Sequence, residues 1–172
     1  MLLLGCKPDG RHTEQHDIFF AIGDSLKSLV PGIGQFWPDT KIHIDAWREV
    51  TQVDGFSIKV VDRADRLHTQ NEKLFFLNLG GYRSGEFEEY HYKILSVCAE
   101  KSAAIAQAKD SLFYHQKYSA HIDDKYGVDV DDAYDVEDIL PAYLKEKYAL
   151  QITPGNGEED VLNIGYYKLS AL

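Results

Sequence analysis

Four of the chain's seven histidines fall in two phrases that each occur twice, and each phrase also carries a carboxylate. Glu14-Gln-His16 and Glu89-Tyr-His91 share the form Glu-x-His; His43-Ile-Asp45 and His121-Ile-Asp123 share the form His-x-Asp. On a strand, residues i and i+2 point to one face, so each phrase would hold an imidazole and a carboxylate side by side. If the two strands of a pair adjoin, each set gathers two imidazoles and two carboxylates. That donor set suffices for a divalent metal, and the carboxylates can orient the imidazoles. A His–carboxylate pair can equally serve as a general base. The competing reading is structural: the same groups hydrogen-bond the sheet and its loop, and a doubled fold keeps structural residues as readily as functional ones. No His-Glu-x-x-His phrase is present. The candidate ligand-binding set is therefore Glu14, His16, His43, Asp45, Glu89, His91, His121 and Asp123, with no metal or cofactor assigned.

A second candidate is Gly23-Asp-Ser-Leu26, which resembles the serine block of the GDSL esterase/lipase family. Asp65-Arg-Leu-His68 has the form of that family's acid/base block. The resemblance implies that Ser25 attacks a carbonyl and His68 takes its proton. Four features depart from the pattern. The Asp-x-x-His block lies mid-chain, the family's Gly-x-Asn-Asp block is missing, Glu100 stands where a second copy would place Ser25, and a doubled β-β-α-β-β pattern is not the family's doubly wound fold. Ser25 also suits a helix cap. The glycine-rich stretches Gly5–Gly10 and Gly80–Gly85 lack the Lys-Ser/Thr of a phosphate loop and read as turns. Phe36-Trp37 reads as packing of a helix on a sheet, and Trp47, Arg48 and Glu49 as surface residues beside the His-Ile-Asp strand.

The elements that must position these groups repeat as well. At an offset of 75, Leu2, Leu4, Gly5, Gly10, Glu14 and His16 fall on Leu77, Leu79, Gly80, Gly85, Glu89 and His91. At an offset of 78, His43, Ile44, Asp45, Val50 and Asp54 fall on His121, Ile122, Asp123, Val128 and Asp132. Each copy reads as β-β-α-β-β. A short apolar strand (Leu2–Leu4; Leu74–Leu79) leads to a second strand around Ile18–Ile22 or Tyr92–Val97. A helix follows, capped by Asp24 or Ser25 in copy one, where Pro31 should kink it or mark its first turn, and opening after Ser102 in copy two. The His-Ile-Asp strand comes next. Asp54-Gly55 predicts a turn into Phe56, Ile58 and Val60, and Asp131-Asp132 its counterpart before Tyr134 and Val136. Residues 141–147 fit one helical turn. Strands near 149–153 and 161–168 flank Pro154-Gly-Asn-Gly157, a hairpin signal.

The expected fold is thus α+β: two tandem β-β-α-β-β repeats related by a pseudo-twofold, plus a C-terminal β-hairpin. The divisions are 1–61 for copy one, 62–73 for a linker, 74–140 for copy two and 141–172 for the hairpin extension. A copy of about 60 residues is marginal alone, so one compact unit is expected.

Charge narrows the partners. A formal net charge of -10 over 172 residues, with no basic cluster, repels a polyphosphate backbone and sets nucleic acid aside. A divalent metal, a small molecule or a second copy of the chain remain open as partners. No apolar run is long enough to span a bilayer, so no membrane partner is expected. Leu3-Leu-Gly-Cys6 resembles a lipoprotein cleavage box, but it lacks the basic start and the roughly 7–15 apolar residues of a signal peptide and reads as a buried strand. Cys6 and Cys98 fit no disulfide framework or zinc spacing, so reduced thiols and a cytoplasmic location are expected.

Three stretches carry a family resemblance: the opening Leu2–Asp17 segment, His43-Ile-Asp-Ala-Trp-Arg-Glu-Val50, and Leu77-Asn-Leu-Gly-Gly-Tyr-Arg-Ser-Gly-Glu-Phe-Glu-Glu-Tyr-His91. Together they resemble the uncharacterised bacterial family called domain of unknown function 1543, over residues 2 to about 140. The resemblance implies a small bacterial protein and supplies no activity or catalytic residues. The function expected from the residues themselves is that of a binding or interaction protein with duplicated His/carboxylate pockets for a metal or small ligand. A GDSL-like serine hydrolase and a purely structural or oligomeric module are the alternatives.

Overall fold

The computed structural model describes residues 1–82, 85–115 and 129–172. In chain order its elements are β1 (Leu2–Cys6), β2 (Gln15–Phe19), α1 (Leu26–Phe36), β3 (His43–Trp47), β4 (Gln52–Val53), β5 (Phe56–Asp62), β6 (Lys73–Tyr82), β7 (Glu89–Cys98), α2 (Lys101–His115), β8 (Asp129–Asp135), α3 (Val136–Ile139), α4 (Ala142–Lys147), β9 (Tyr148–Pro154) and β10 (Asn163–Lys168). Among the described residues the strands form three antiparallel sheets, ordered β10-β3-β1-β2, β4-β5-β9 and β7-β6-β8. The α+β class is as expected. No helix among the described residues is long and apolar enough to cross a membrane.

Alternation along β1 sends Leu2, Leu4 and Cys6 to one face, where all three are buried against Ile33 of α1, Phe19 and Ile44. Ser25 caps α1: its side chain accepts from Ser28 N while Ser28 returns a bond to the Ser25 backbone, a reciprocal cap that satisfies two otherwise orphaned donors. The helix runs through Pro31, which forgoes one backbone bond. In the third sheet Ala104 and Ala108 of α2 lie fully buried on Phe75, Leu77 and Leu79, their small size letting the helix settle close. The opposite face of that sheet joins the β4-β5-β9 sheet in a common core that includes Phe76, Leu95, Val97, Ile58, Leu150 and Ile152.

Two of the three sheets share a local plan. In each, the first strand is central, the second and third flank it, and a helix follows the second: β2-β1-β3 with α1, β7-β6-β8 with α2. Gly5 pairs with His16 on one side and His43 on the other; Gly80 pairs with His91 and with Asp129. One step further, each third strand skips a residue, Asp45 between Ile44 and Ala46, and Asp131 between Val130 and Asp132.

The register corrects part of the sequence reading. Beside the central glycine the third strand carries His43 in one sheet and Asp129 in the other, an offset of 86 (129 minus 43), where the repeated phrases are 78 apart. The expected strand at His121–Asp123 lies outside the described residues. Asp131-Asp132 is not a turn: Asp129–Asp135 is one strand, and Asp135 then caps α3 by accepting from Glu137 N, so Val136 opens a helix rather than a strand. The C-terminal hairpin is also overturned. β9 pairs with β5 and β10 with β3, in different sheets. The intervening loop is tied elsewhere: Gly155 N donates to Gly55 O, and the Asp160 carboxylate accepts from Thr51 N, Thr51 Oγ1 and Gln52 N. Those bonds turn the chain away from β9. The Asp54-Gly55 turn stands as expected, both residues at positive φ (52° and 77°) between paired Val53 and Phe56.

Candidate functional site

The row His16–Gly5–His43 crosses three adjacent strands. Neighbouring strands lie about 4.8 Å apart, so the two imidazoles start roughly 10 Å from each other at the backbone and must reach inward over the strand between them. They can do so only because that strand offers no side chain at the crossing. A Cβ built on Gly5 would stand 2.5 Å from His43 Nε2 and 2.5 Å from Asp45 Oδ2. Gly5 is therefore a residue of β1 that vacates the site, not the start of a loop.

The carboxylates arrive by two routes. Glu14 stands just before β2, two residues from His16, and projects over the same end of the sheet. Asp45 is the bulged residue of β3, and a bulge re-aims a side chain relative to the regular pleat. The four groups then interlock. His43 Nε2 lies 3.1 Å from Glu14 Oε1 and 3.2 Å from Asp45 Oδ1. His16 Nε2 lies 3.4 Å from Asp45 Oδ2 and 3.7 Å from Glu14 Oε2. Each carboxylate thus spans both imidazoles with its two oxygens.

Burial is graded across the cluster. The His43 side chain is 6% exposed and Asp45 26%, against 43% for His16 and 45% for Glu14. One end is packed in the sheet and the other opens to solvent. The Tyr166 ring of β10, itself mostly exposed, lies on the His43 ring, centroids 4.3 Å apart. Despite the short distances, His43 Nε2 and Asp45 Oδ2 are buried with no hydrogen-bond partner. The flanking oxygens sit near the imidazole nitrogen but off the direction in which it would donate. Buried polar atoms are usually satisfied, so two orphans in one cluster call for an explanation. Among the described residues, no group of three or more His, Cys, Asp or Glu side chains is arranged so that it could hold a metal ion as it stands.

On the third sheet the expected pair is present in weaker form. His91 Nε2 lies 3.8 Å from Glu89 Oε2, both side chains about two-fifths exposed. Asn78 Nδ2 approaches His91 Nδ1 at 3.4 Å and Asp132 Oδ2 at 3.5 Å, and Tyr134 donates to Asp132 Oδ1 at 3.0 Å. His121 and Asp123 lie outside the described residues. Sequence reading missed Tyr166, Asn78 and the spacer role of Gly5. Asn78 had left a signal, a lone amide inside Leu74-Phe-Phe-Leu-Asn-Leu79.

The serine candidate takes a different place. Ser25 Oγ is engaged as the acceptor that caps α1, and among the described residues no hydrogen bond joins it to His68. Trp47 pairs across from Leu2 and packs with the core beneath α1, while Arg48 is bound through its backbone to Met1.

Residues 11–60, which hold all four groups of the cluster, match the family described as Domain of Unknown Function (DUF1543). No curated protein matches the chain. Among solved structures, the crystal structure of a protein Il1583 from Idiomarina loihiensis aligns with 98% of this chain and 94% of its own, at a TM-score of 0.63 and 21% identity. At that identity the likeness speaks to the fold alone.

Proposed function

We propose that the protein binds one divalent transition-metal ion through Glu14, His16, His43 and Asp45. The observation that carries this reading is the convergence of four donor groups whose innermost nitrogen and oxygen have no hydrogen bond. Bonds of about 2.0–2.2 Å to imidazole and carboxylate place tetrahedral neighbours roughly 3.3–3.6 Å apart, and octahedral neighbours roughly 2.8–3.1 Å. The nitrogen–oxygen separations of 3.1 to 3.7 Å lie close to those ranges, although the side chains must still move for one ion to reach all four. With neutral imidazoles and ionised carboxylates the cluster carries two negative charges, which a divalent ion cancels. Mixed nitrogen and oxygen donors suit zinc, iron, cobalt or manganese better than calcium or magnesium. The structural alternative, in which these groups hold the sheet by hydrogen bonds, is disfavoured because the buried pair makes none.

The two similar sheets support a duplication in which, among the described residues, only the first half carries the full donor set. Gly80 pairs with His91 as Gly5 pairs with His16, and Glu89 stands two residues before His91 as Glu14 does before His16, but Asp129 occupies the register position of His43. The expected stoichiometry is one ion per chain. Elemental analysis and calorimetry with zinc, cobalt and manganese test this directly. Uptake near one ion, abolished in His43→Ala and sharply weakened in the exposed variants His16→Ala and Glu14→Gln, is the expected result. No uptake, or uptake that His16→Ala and Glu14→Gln leave unchanged, refutes it.

A further inference from the structure

The outermost strand of a sheet presents N–H and C=O groups with no strand to pair them, and folds blunt such edges with side-chain partners, charge or cover. Among the described residues the three sheets have six edges. Four are met by side chains. Ile18 N of β2 donates to Asp17 Oδ1, Gln52 N of β4 to Asp160 Oδ2, and Val97 N of β7 to Asp54 Oδ2. On β9, Leu150 N donates to Glu137 Oε1 and Ile152 N to Gln70 Oε1. The fifth edge, β8, carries four aspartates in seven residues, a charge that repels a second strand. The sixth, β10, has neither device. Among the described residues its backbone bonds only with β3, and its one charged residue is Lys168 at the end. A bulge sets Gly165 and Tyr166 against Asp45, but it adds no charge and leaves Ile164 and Tyr166 exposed. Exposed apolar surface gathers at the same place. Val161, Leu162, Ile164 and Tyr166 are 75%, 58%, 76% and 64% exposed, four of the eleven large apolar side chains exposed among the described residues, within six positions.

Charge selects what covers this edge. A net charge of -10 repels a second copy of the chain at long range, so self-association needs local complementarity. The segment supplies it: the exposed Glu158 and Glu159 precede β10, and the exposed Lys168 ends it. Laid antiparallel on a copy of itself about a two-fold near Gly165, the segment turns each Lys168 toward the acidic end of the other. Ile164 of each copy then lies beside Tyr166 of the other, an aromatic and β-branched pairing of the kind that stabilises adjacent strands. Parallel pairing would set like charges together. We infer that the chain forms a two-fold homodimer in which β10 pairs antiparallel with β10 of a second copy, joining two four-stranded sheets into one of eight. The contact needs no bound ion. Six strand residues a side fall well short of the roughly 20–30 of a standard interface, so the dimer is weak and reversible.

Sedimentation equilibrium of the full chain, with a chelator present so that metal uptake plays no part, tests this. A monomer–dimer equilibrium across the micromolar range is expected. Ile164→Lys and Leu162→Lys, both at exposed positions, should each raise the dissociation constant at least about tenfold, or about 1.4 kcal/mol. Phe87→Lys, at an equally exposed apolar position outside the segment, should leave it unchanged. Lys168→Glu should weaken the dimer, and adding Glu158→Lys and Glu159→Lys should restore it, a rescue that general damage to the fold would not give. A monomer at every concentration, which would leave the edge to a strand of another protein, overturns the inference. So does a dimer that both Ile164→Lys and Leu162→Lys leave intact, an equal loss in Phe87→Lys, or charge reversal without rescue.

Discussion

Replacing Gly5 by alanine isolates the site from the fold. The added methyl carbon would stand 2.5 Å from both His43 Nε2 and Asp45 Oδ2, and 3.0 Å from His43 Cε1. Ordinary contact begins near 3.4 Å, so each donor atom must retreat by about 0.9 Å. Metal–ligand distances tolerate only about 0.2 Å. Both obstructing atoms are side-chain ends, so they can rotate away and the strands need not move. Gly5 does not have a positive φ, so alanine meets no backbone strain there and reduces the freedom of the unfolded chain. The expected outcome is a melting temperature of the metal-free chain close to that of the parent, a change within about 1 kcal/mol. Metal affinity should fall by at least about 100-fold, or roughly 2.8 kcal/mol, since two donors are displaced together. A competition titration against a chromophoric chelator, run beside a thermal melt, reads both quantities. Parental affinity in Gly5→Ala would refute the site geometry, and collapse of the metal-free fold would refute the claim that the glycine serves the site.

Three further outcomes follow from the packing. Asp54 Oδ2 accepts from Val97 N at 2.9 Å and Gln107 Nε2 at 3.0 Å, tying the β4–β5 turn to β7 and α2, so Asp54→Ala should cost about 2 kcal/mol in urea unfolding and Asp54→Asn less than half of that. Ser25→Ala removes the α1 cap and should cost about 1 kcal/mol in the same assay. The Met1 ammonium is pushed down from 8.0 to about 5, first by burial and then by the Arg48 charge. The folded chain therefore binds fewer protons than the unfolded chain between those values, and stability should rise with pH across that window by up to about 4 kcal/mol, three units at about 1.36 each. Urea midpoints from pH 5 to 8 check this against an N-terminally acetylated chain, which should lack the rise; a parallel rise in both would reject the assignment.

Local patterns in the sequence were enough for the parts of the site that depend on neighbours in the chain. The Glu-x-His and His-x-Asp phrases named Glu14, His16, His43 and Asp45 as candidates, Asp54-Gly55 specified its turn by the need for positive φ, and Ser25 specified a helix start. None of these depends on which strands adjoin. Everything that does was decided by tertiary structure. Identity of phrases superposed His43 on His121, yet backbone pairing sets Asp129 at that register, because strand register answers to the buried face and the bulge and not to similarity of wording. The hairpin signal at Pro154-Gly-Asn-Gly157 was locally sound, but the distant bonds of Asp160 to Thr51 and Gln52 outweighed it and carried β10 to the edge of β3. That placement brought Tyr166 onto His43. The identity and spacing of these four side chains were thus written in the sequence. Their convergence over Gly5 was not, because it is a property of three strands from separate parts of the chain lying side by side.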